Sequence, residues 1–328
     1  MNRLLEFRVP PALSAVLVFA GLLWLGSSLQ QSGMLTSGPA QAPVVPRPVT
    51  LLTAALSPDG KLLATGGMDG RVRLREPATG RELQAFPPVD GELRALAFSP
   101  DGKLLAGGAD QVTLWEVESG RTVPRLSTFK HWTRTLTFSP DGRRLGAAGD
   151  GLRVWEVESG KLLSSSQFEM PWGVMALAPN LSVLAAHEVR AANFGIVLFD
   201  VATGREGRRI NAFGWALDDL EFSGDGRFLA AAAYKVGYLY DQKKPGACTI
   251  LEGHRDRLHR IALDRAVSRV ATASYDRTLK FWNIEGGKPL AEFPLAGPIP
   301  DTLLFTPDGT RLISVDKEGF TTSYPVPR

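Results

Sequence analysis

Cysteine is all but missing from this chain. Cys248 stands alone, which excludes an internal disulfide and any cysteine-built metal site. Histidine is scarce as well, and none of His131, His187, His254 and His259 lies at a metal-motif spacing such as H-E-x-x-H. The sequence holds no G-x-S-x-G nucleophile elbow, no P-loop and no Rossmann fingerprint. No carboxylate spacing argues for paired-acid hydrolysis. An excess of one charge is lacking too: 37 Lys and Arg face 34 Asp and Glu, and the net +3 gives no reason to expect a nucleic-acid partner. No catalytic residue, cofactor or metal is therefore expected, and helical periodicity is almost absent.

Glycine and proline, at 34 and 23 residues, are plentiful, and many of them fall in a phrase that returns. Ser57-Pro58-Asp59-Gly60 is followed by Ser99-Pro100-Asp101-Gly102, Ser139-Pro140-Asp141-Gly142 and, near the end, Thr306-Pro307-Asp308-Gly309. Weaker copies stand between them at Ala178-Pro179-Asn180-Leu181, Ser223-Gly224-Asp225-Gly226 and Asp264-Arg265-Ala266-Val267. A period of about 40 residues is that of propeller blades, so the count is seven units.

Each copy reads as a type I turn: Pro pre-sets φ, Asp tolerates the third position, and Gly at the fourth relieves crowding as the chain turns back into a strand. Apolar runs such as 93–98 and 103–106 flank it. A third strand follows, as in Val112-Thr113-Leu114-Trp115 or Leu279-Lys280-Phe281-Trp282, and then a glycine turn such as Glu118-Ser119-Gly120-Arg121. A poorer fourth strand completes each unit. Seven units of four antiparallel strands make an all-β propeller. Gly66-Gly67 and Gly107-Gly108 fall in second strands beside the hub, where small side chains permit close packing rather than a phosphate cradle.

The repeated S-P-D-G turn, Trp115-Glu116, Trp155-Glu156 and the fuller set Gly253-His254, Ser274-Tyr275-Asp276 and Trp282-Asn283 resemble the WD-repeat family from about residue 44 onward. That resemblance implies a seven-bladed propeller acting as a protein-interaction scaffold, not an enzyme. It also implies a buried bracing network in the sixth blade through His254, Thr272 or Ser274, Asp276 and Trp282. The tryptophan position is otherwise filled by Arg75, Phe199, Tyr240 and Tyr324, so those blades are expected to rely on apolar packing.

Residues 10–29 form an uncharged apolar run long enough to span a bilayer as a helix. Arg3 and Arg8 precede it and no basic residue follows before Arg47, which orients the N-terminus to the cytoplasm and the propeller outside. Residues 1–29 thus read as a signal-anchor retained in the membrane. The alternative is a signal peptide, cleaved near Gly26-Ser27-Ser28 or Ala40-Gln41-Ala42, leaving a secreted or periplasmic protein. Residues 30–40 read as a flexible tether and 41–328 as the propeller. The last unit lacks a fourth strand, which residues 41–49, despite Pro43, Pro46 and Pro48, are expected to supply at an edge.

Counting back five residues from each turn marks Leu52, Arg94, Arg134, Gly173, Asp218, His259 and Asp301 at the start of the innermost strands, around the channel opening. With Trp132, Trp172 and Trp215 nearby, Arg94, Arg134, Asp218, His259 and Asp301 form the candidate rim for a protein partner, since Trp, Tyr and Arg dominate interface hot spots. A second reading keeps a propeller enzyme or small-ligand sensor, with His259, Asp218 and Asp301 converging at the channel mouth. A third is a structural module of an envelope assembly.

Overall fold

The computed structural model describes residues 50–123, 126, 133–167, 172–190, 193–210, 217–266 and 268–327. Every regular element among them is a strand. The first blade holds β1 (Leu51–Leu56), β2 (Leu63–Gly67), β3 (Arg73–Arg75) and β4 (Glu82–Ala85); the second β5 (Ala95–Phe98), β6 (Leu104–Gly108) and β7 (Val112–Glu116). The third holds β8 (Thr133–Phe138), β9 (Arg144–Gly149), β10 (Gly151–Glu156) and β11 (Leu162–Gln167); the fourth β12 (Trp172–Leu177), β13 (Val183–Arg190), β14 (Asn193–Asp200) and β15 (Glu206–Ile210). The fifth holds β16 (Leu217–Phe222), β17 (Phe228–Ala233), β18 (Val236–Asp241) and β19 (Cys248–Glu252). The sixth runs β20 (Leu258–Leu263), β21 (Arg269–Ser274), β22 (Thr278–Asn283) and β23 (Pro289–Pro294), and the last β24 (Thr302–Phe305), β25 (Arg311–Val315) and β26 (Thr321–Pro325).

Neighbouring strands pair antiparallel in chain order, giving the expected seven-bladed propeller. Five blades show four strands, while the second and seventh show three among the described residues. In the second blade Thr122 forms a single bridge to Trp115, and most of the residues that follow, 124–125 and 127–132, lie outside the described ones. The closing strand expected at 41–49 and the apolar helix at 10–29 lie outside the described residues. Among those described, no helix is long and apolar enough to cross a membrane.

The recurring phrase folds the same way at each intact copy. Ser57 Oγ donates to Asp59 Oδ1 at 2.6 Å, the Leu62 N–H returns to Ser57 Oγ at 2.9 Å, and the Gly60 N–H closes onto the Ser57 carbonyl at 2.8 Å. Gly60 sits at φ +73°, so the fourth position needs glycine for a left-handed backbone rather than only to relieve crowding. In the fourth blade Leu181 takes that conformation at φ +55° and is buried, and Gly146 leaves room for it: a Cβ there would lie 2.6 Å from Leu181 Cδ2. In the sixth, Asp264 replaces the serine and accepts the Ser268 and Arg269 N–H groups.

Core residues gather between blades, because alternate side chains of a strand face opposite neighbours. In β17, Leu229, Ala231 and Ala233 pack toward the fourth blade, whereas Ala230 and Ala232 pack toward the sixth. Each fully buried Leu contributes about 1.5–3 kcal/mol. The seam between last and first blades is the thinnest, built on Leu51, Leu63, Ile313 and Val315 and tied by the Leu51 N–H to the Lys317 carbonyl at 2.7 Å. The paired glycines do pack closely: a Cβ on Gly107 would meet the Trp115 ring at 2.5 Å, and one on Gly108 would meet Thr133 at the same distance.

Candidate interaction face at the strand starts

The residues marked by counting from each turn share one local geometry. In β1, β8, β16 and β20 the ladder slips between Leu51 and Thr53, Thr133 and Thr135, Leu217 and Asp219, and Leu258 and Arg260. The skipped residues are Leu52, Arg134, Asp218 and His259. Gly173 lies within the corresponding slip of β12. Arg94 and Asp301 stand just ahead of β5 and β24, their N–H groups bonded to the Gly108 and Val315 carbonyls. A bulge re-aims the side chain it carries, here onto one face of the ring.

That face is cross-linked more than its sequence suggested. Arg257 forks onto Asp218 at 2.5 and 2.7 Å, joining the fifth and sixth blades, and this hydrogen bonding raises the Arg257 pKa. His259 Nε2 lies 3.3 Å from Asp301 Oδ1, and Arg260 Nε donates to the Asp301 carbonyl at 2.5 Å. Both rim acids therefore already hold cationic or imidazole partners from the sixth blade. Arg94 pairs with Glu92, and Arg134 is exposed. Trp132 and Trp215 lie outside the described residues, as does the side chain of Trp172.

The apolar component comes instead from the turns between second and third strands. Met68, Val189, Tyr234, Tyr275 and Phe320 are exposed, Phe320 by 72% and Met68 by 55%, and all lie on these turns or at the strand ends beside them. The other large exposed apolar side chains, Leu83, Leu162, Leu163, Ile250 and Leu290, ride on outermost strands. Tyr275 and Tyr234 flank Arg257: the Tyr275 N–H donates to the Arg257 carbonyl, and the Tyr234 carbonyl accepts from Leu258. The Tyr275 ring meets His259 edge-on at 5.4 Å, and Lys235 Nζ lies 5.4 Å from the centre of the Tyr234 ring.

Backbone strain collects in the same sector. Tyr234, at φ +50°, is the first residue of the two-residue loop between paired Ala233 and Val236. Arg277, at φ +65°, stands where the first blade has Gly70. Bulky residues in this region are sparse and gather where surrounding structure enforces them, often at functional sites. The sequence carried a signal for this patch, since Met68-Asp69, Tyr234-Lys235 and Tyr275-Asp276 share one turn position, but the rim count passed over it.

The sixth-blade group is brought together beneath this face. His254 Nδ1 lies 2.9 Å from Asp276 and Nε2 lies 2.8 Å from Thr272 Oγ1, which also accepts the Trp282 indole N–H at 2.7 Å. A neutral imidazole protonated on Nδ1 satisfies every partner, with Thr272 donating to Nε2. Ser274 Oγ takes a separate part, donating to the Asp256 and Arg257 carbonyls at 3.0 Å. Burial lowers the His254 pKa against the pull of Asp276. Burial would raise the Asp276 carboxyl, but the Thr278 hydroxyl, the Arg255 N–H and His254 outweigh it and hold it well below the usual range. Among the described residues Trp115 Nε1 has no such partner, because Gly107 occupies the second blade's counterpart of Thr272.

Residues 48–75, 81–115 and 247–283 match the family model for "WD domain, G-beta repeat". These three segments are WD40 repeats. Eukaryotic translation initiation factor 3 subunit I of Pyricularia oryzae is 30% identical over 109 residues, which span 31% of this chain and about 30% of that relative's length. Among solved structures, a chain of Kuenenia stuttgartiensis hydrazine synthase matches with a TM-score of 0.73 and 15% identity, over 90% of this chain and 99% of that one. At that identity the likeness is one of fold.

Proposed function

We propose that this protein is a non-enzymatic interaction scaffold whose partner docks on the strand-start face, centred on Tyr234, Arg257, His259 and Tyr275. The observation that carries this reading is that exposed Met68, Val189, Tyr234, Tyr275 and Phe320 stand at the same end of five consecutive blades, with an Arg–Asp fork and two strained turns in the fifth and sixth. Architecture alone does not decide it, because a similar propeller chain occurs in hydrazine synthase, an enzyme. Arg94 and Arg134 provide a second, cationic arc. A photocrosslinker placed at Tyr275 or Met68 in the full-length protein in intact cells captures a defined partner, and one at Leu163 does not. Equal capture from Leu163 would move the interface to the outer strands.

The scaffold reading includes a tether. The uncharged run 10–29, with Arg3 and Arg8 before it, supports a retained anchor with the propeller outside the cytoplasm. The mass of the mature chain and protease access to Arg134 in intact cells test it. A chain starting near residue 29 or 43 would replace the anchor with a cleaved signal.

A further inference from the structure

The opposite end of the ring holds a feature that the interaction face does not use. A cavity of about 390 Å³ opens on the side of the recurring Ser-Pro-Asp-Gly turns. It is walled by Leu56 of the first blade, Pro100 of the second, Phe222 of the fifth, Leu263 of the sixth and Phe305 of the seventh. Five consecutive blades can share one cavity only at the axis, so this is the second mouth of the central channel. Its walls are apolar and polar in about equal measure, and its size lies at the lower end of the range of about 300–1,000 Å³ for small-molecule sites.

Two charged residues also line it: Glu221 from the innermost strand β16, and exposed Arg265 from the adjoining sixth-blade turn. Glu221 breaks the pattern of the ring. The same position, two residues ahead of each turn, is Ala55, Ala97, Thr137, Ala176, Ala262 and Leu304 in the other blades. The neighbouring acid, Asp219, has a structural task. Its Oδ2 accepts the Ile261 N–H at 3.0 Å, covering a donor on the open inner edge of the next blade. Glu221 faces the Leu263 N–H in the same manner. That task needs only an uncharged acceptor, yet the position carries an acid with no basic side chain bonded to it.

We propose that this mouth binds a small zwitterion with an apolar body, of the free α-amino acid class, its ammonium on Glu221 and its carboxylate toward Arg265. An apolar amine would leave the Arg265 guanidinium without an anionic partner, and an apolar acid would leave the Glu221 carboxyl without a cationic one. The zwitterion complements both while its side chain contacts Leu56, Phe222 and Leu263. Burial, aided by the charge of Asp219, holds the Glu221 carboxyl well above the usual range, while the coulombic pull of Arg260 acts on Asp219. An ammonium seated beside Glu221 would favour the carboxylate and offset that upward shift.

The test is calorimetric titration of the full-length protein with L-phenylalanine, phenethylamine and 3-phenylpropionate. L-Phenylalanine is expected to bind, with each single-charge analogue at least about tenfold weaker. Glu221→Gln keeps an acceptor for Leu263, so the melting temperature holds while affinity falls by about tenfold or more. Arg265→Met, at an exposed position, lowers affinity similarly and does not depend on tolerance in the channel. No binding of L-phenylalanine up to about 10 mM overturns the proposal. So does equal affinity for phenethylamine, or unchanged affinity in Arg265→Met.

Discussion

Trp282 donates its indole N–H to the Thr272 hydroxyl at 2.7 Å, the oxygen that also bonds His254. The equivalent indole of Trp115 has no such bond among the described residues, since Gly107 offers no side chain there. One blade is braced by a polar network and another by contact alone.

Trp282→Phe and Trp115→Phe should therefore differ. Both remove the same ring volume, but only the first breaks a buried hydrogen bond and leaves Thr272 short of a donor. The expected excess destabilisation of Trp282→Phe is about 1–3 kcal/mol, read from denaturant midpoints. Equal losses would show that the network contributes nothing beyond packing.

Acid should weaken the sixth blade in two stages. Both His254 and Asp276 have depressed folded-state pKa values, so each stabilises the fold above its unfolded value and loses that contribution as pH falls. The histidine loss begins below about pH 6.5 and the aspartate loss below about pH 4. His254→Asn should flatten the stability profile between about pH 7 and 5, in urea titrations at stepped pH. A parallel profile would remove His254 as its source.

Arg277→Gly tests strain at the proposed face. Glycine accepts φ +65° without penalty, and even after its larger unfolded-state entropy the gain in stability should reach about 0.5–1 kcal/mol. Partner capture should fall at the same time, since the exposed guanidinium is lost. A variant that gains stability and keeps full capture would make the strain incidental to binding.

Arg94→Glu with Arg134→Glu probes the cationic arc. Both side chains are partly or fully exposed, so stability should change by less than about 1 kcal/mol while partner co-purification weakens. Unchanged co-purification would confine the interface to the sector around Tyr275.

The fold was legible because its information is local. Each Ser-Pro-Asp-Gly turn is complete within a few residues, and the short apolar runs on either side of it, such as 93–98 and 103–106, need no knowledge of neighbours. Positions on the rim could be counted for the same reason. Their partners could not: Asp218 meets Arg257 and His259 meets Asp301 only because consecutive blades stand side by side, at separations no repeat motif encodes. The exposed Tyr234 and Tyr275 were hidden differently. An aromatic beside a turn reads the same in sequence whether it is buried or open to solvent, and only the ring shows which.

The thin seam between the first and last blades has a kinetic meaning. Arg75 reaches the Gly319 carbonyl across 244 positions, and the Leu51 N–H is bonded to Lys317, so the first blade lacks a neighbour on one side until the chain is almost finished. Contacts so distant in sequence slow folding and leave apolar surface waiting. Leu51 and Leu63 are thus the residues most exposed to misassociation during synthesis, and closure of the ring is the step at which a helper protein would matter most.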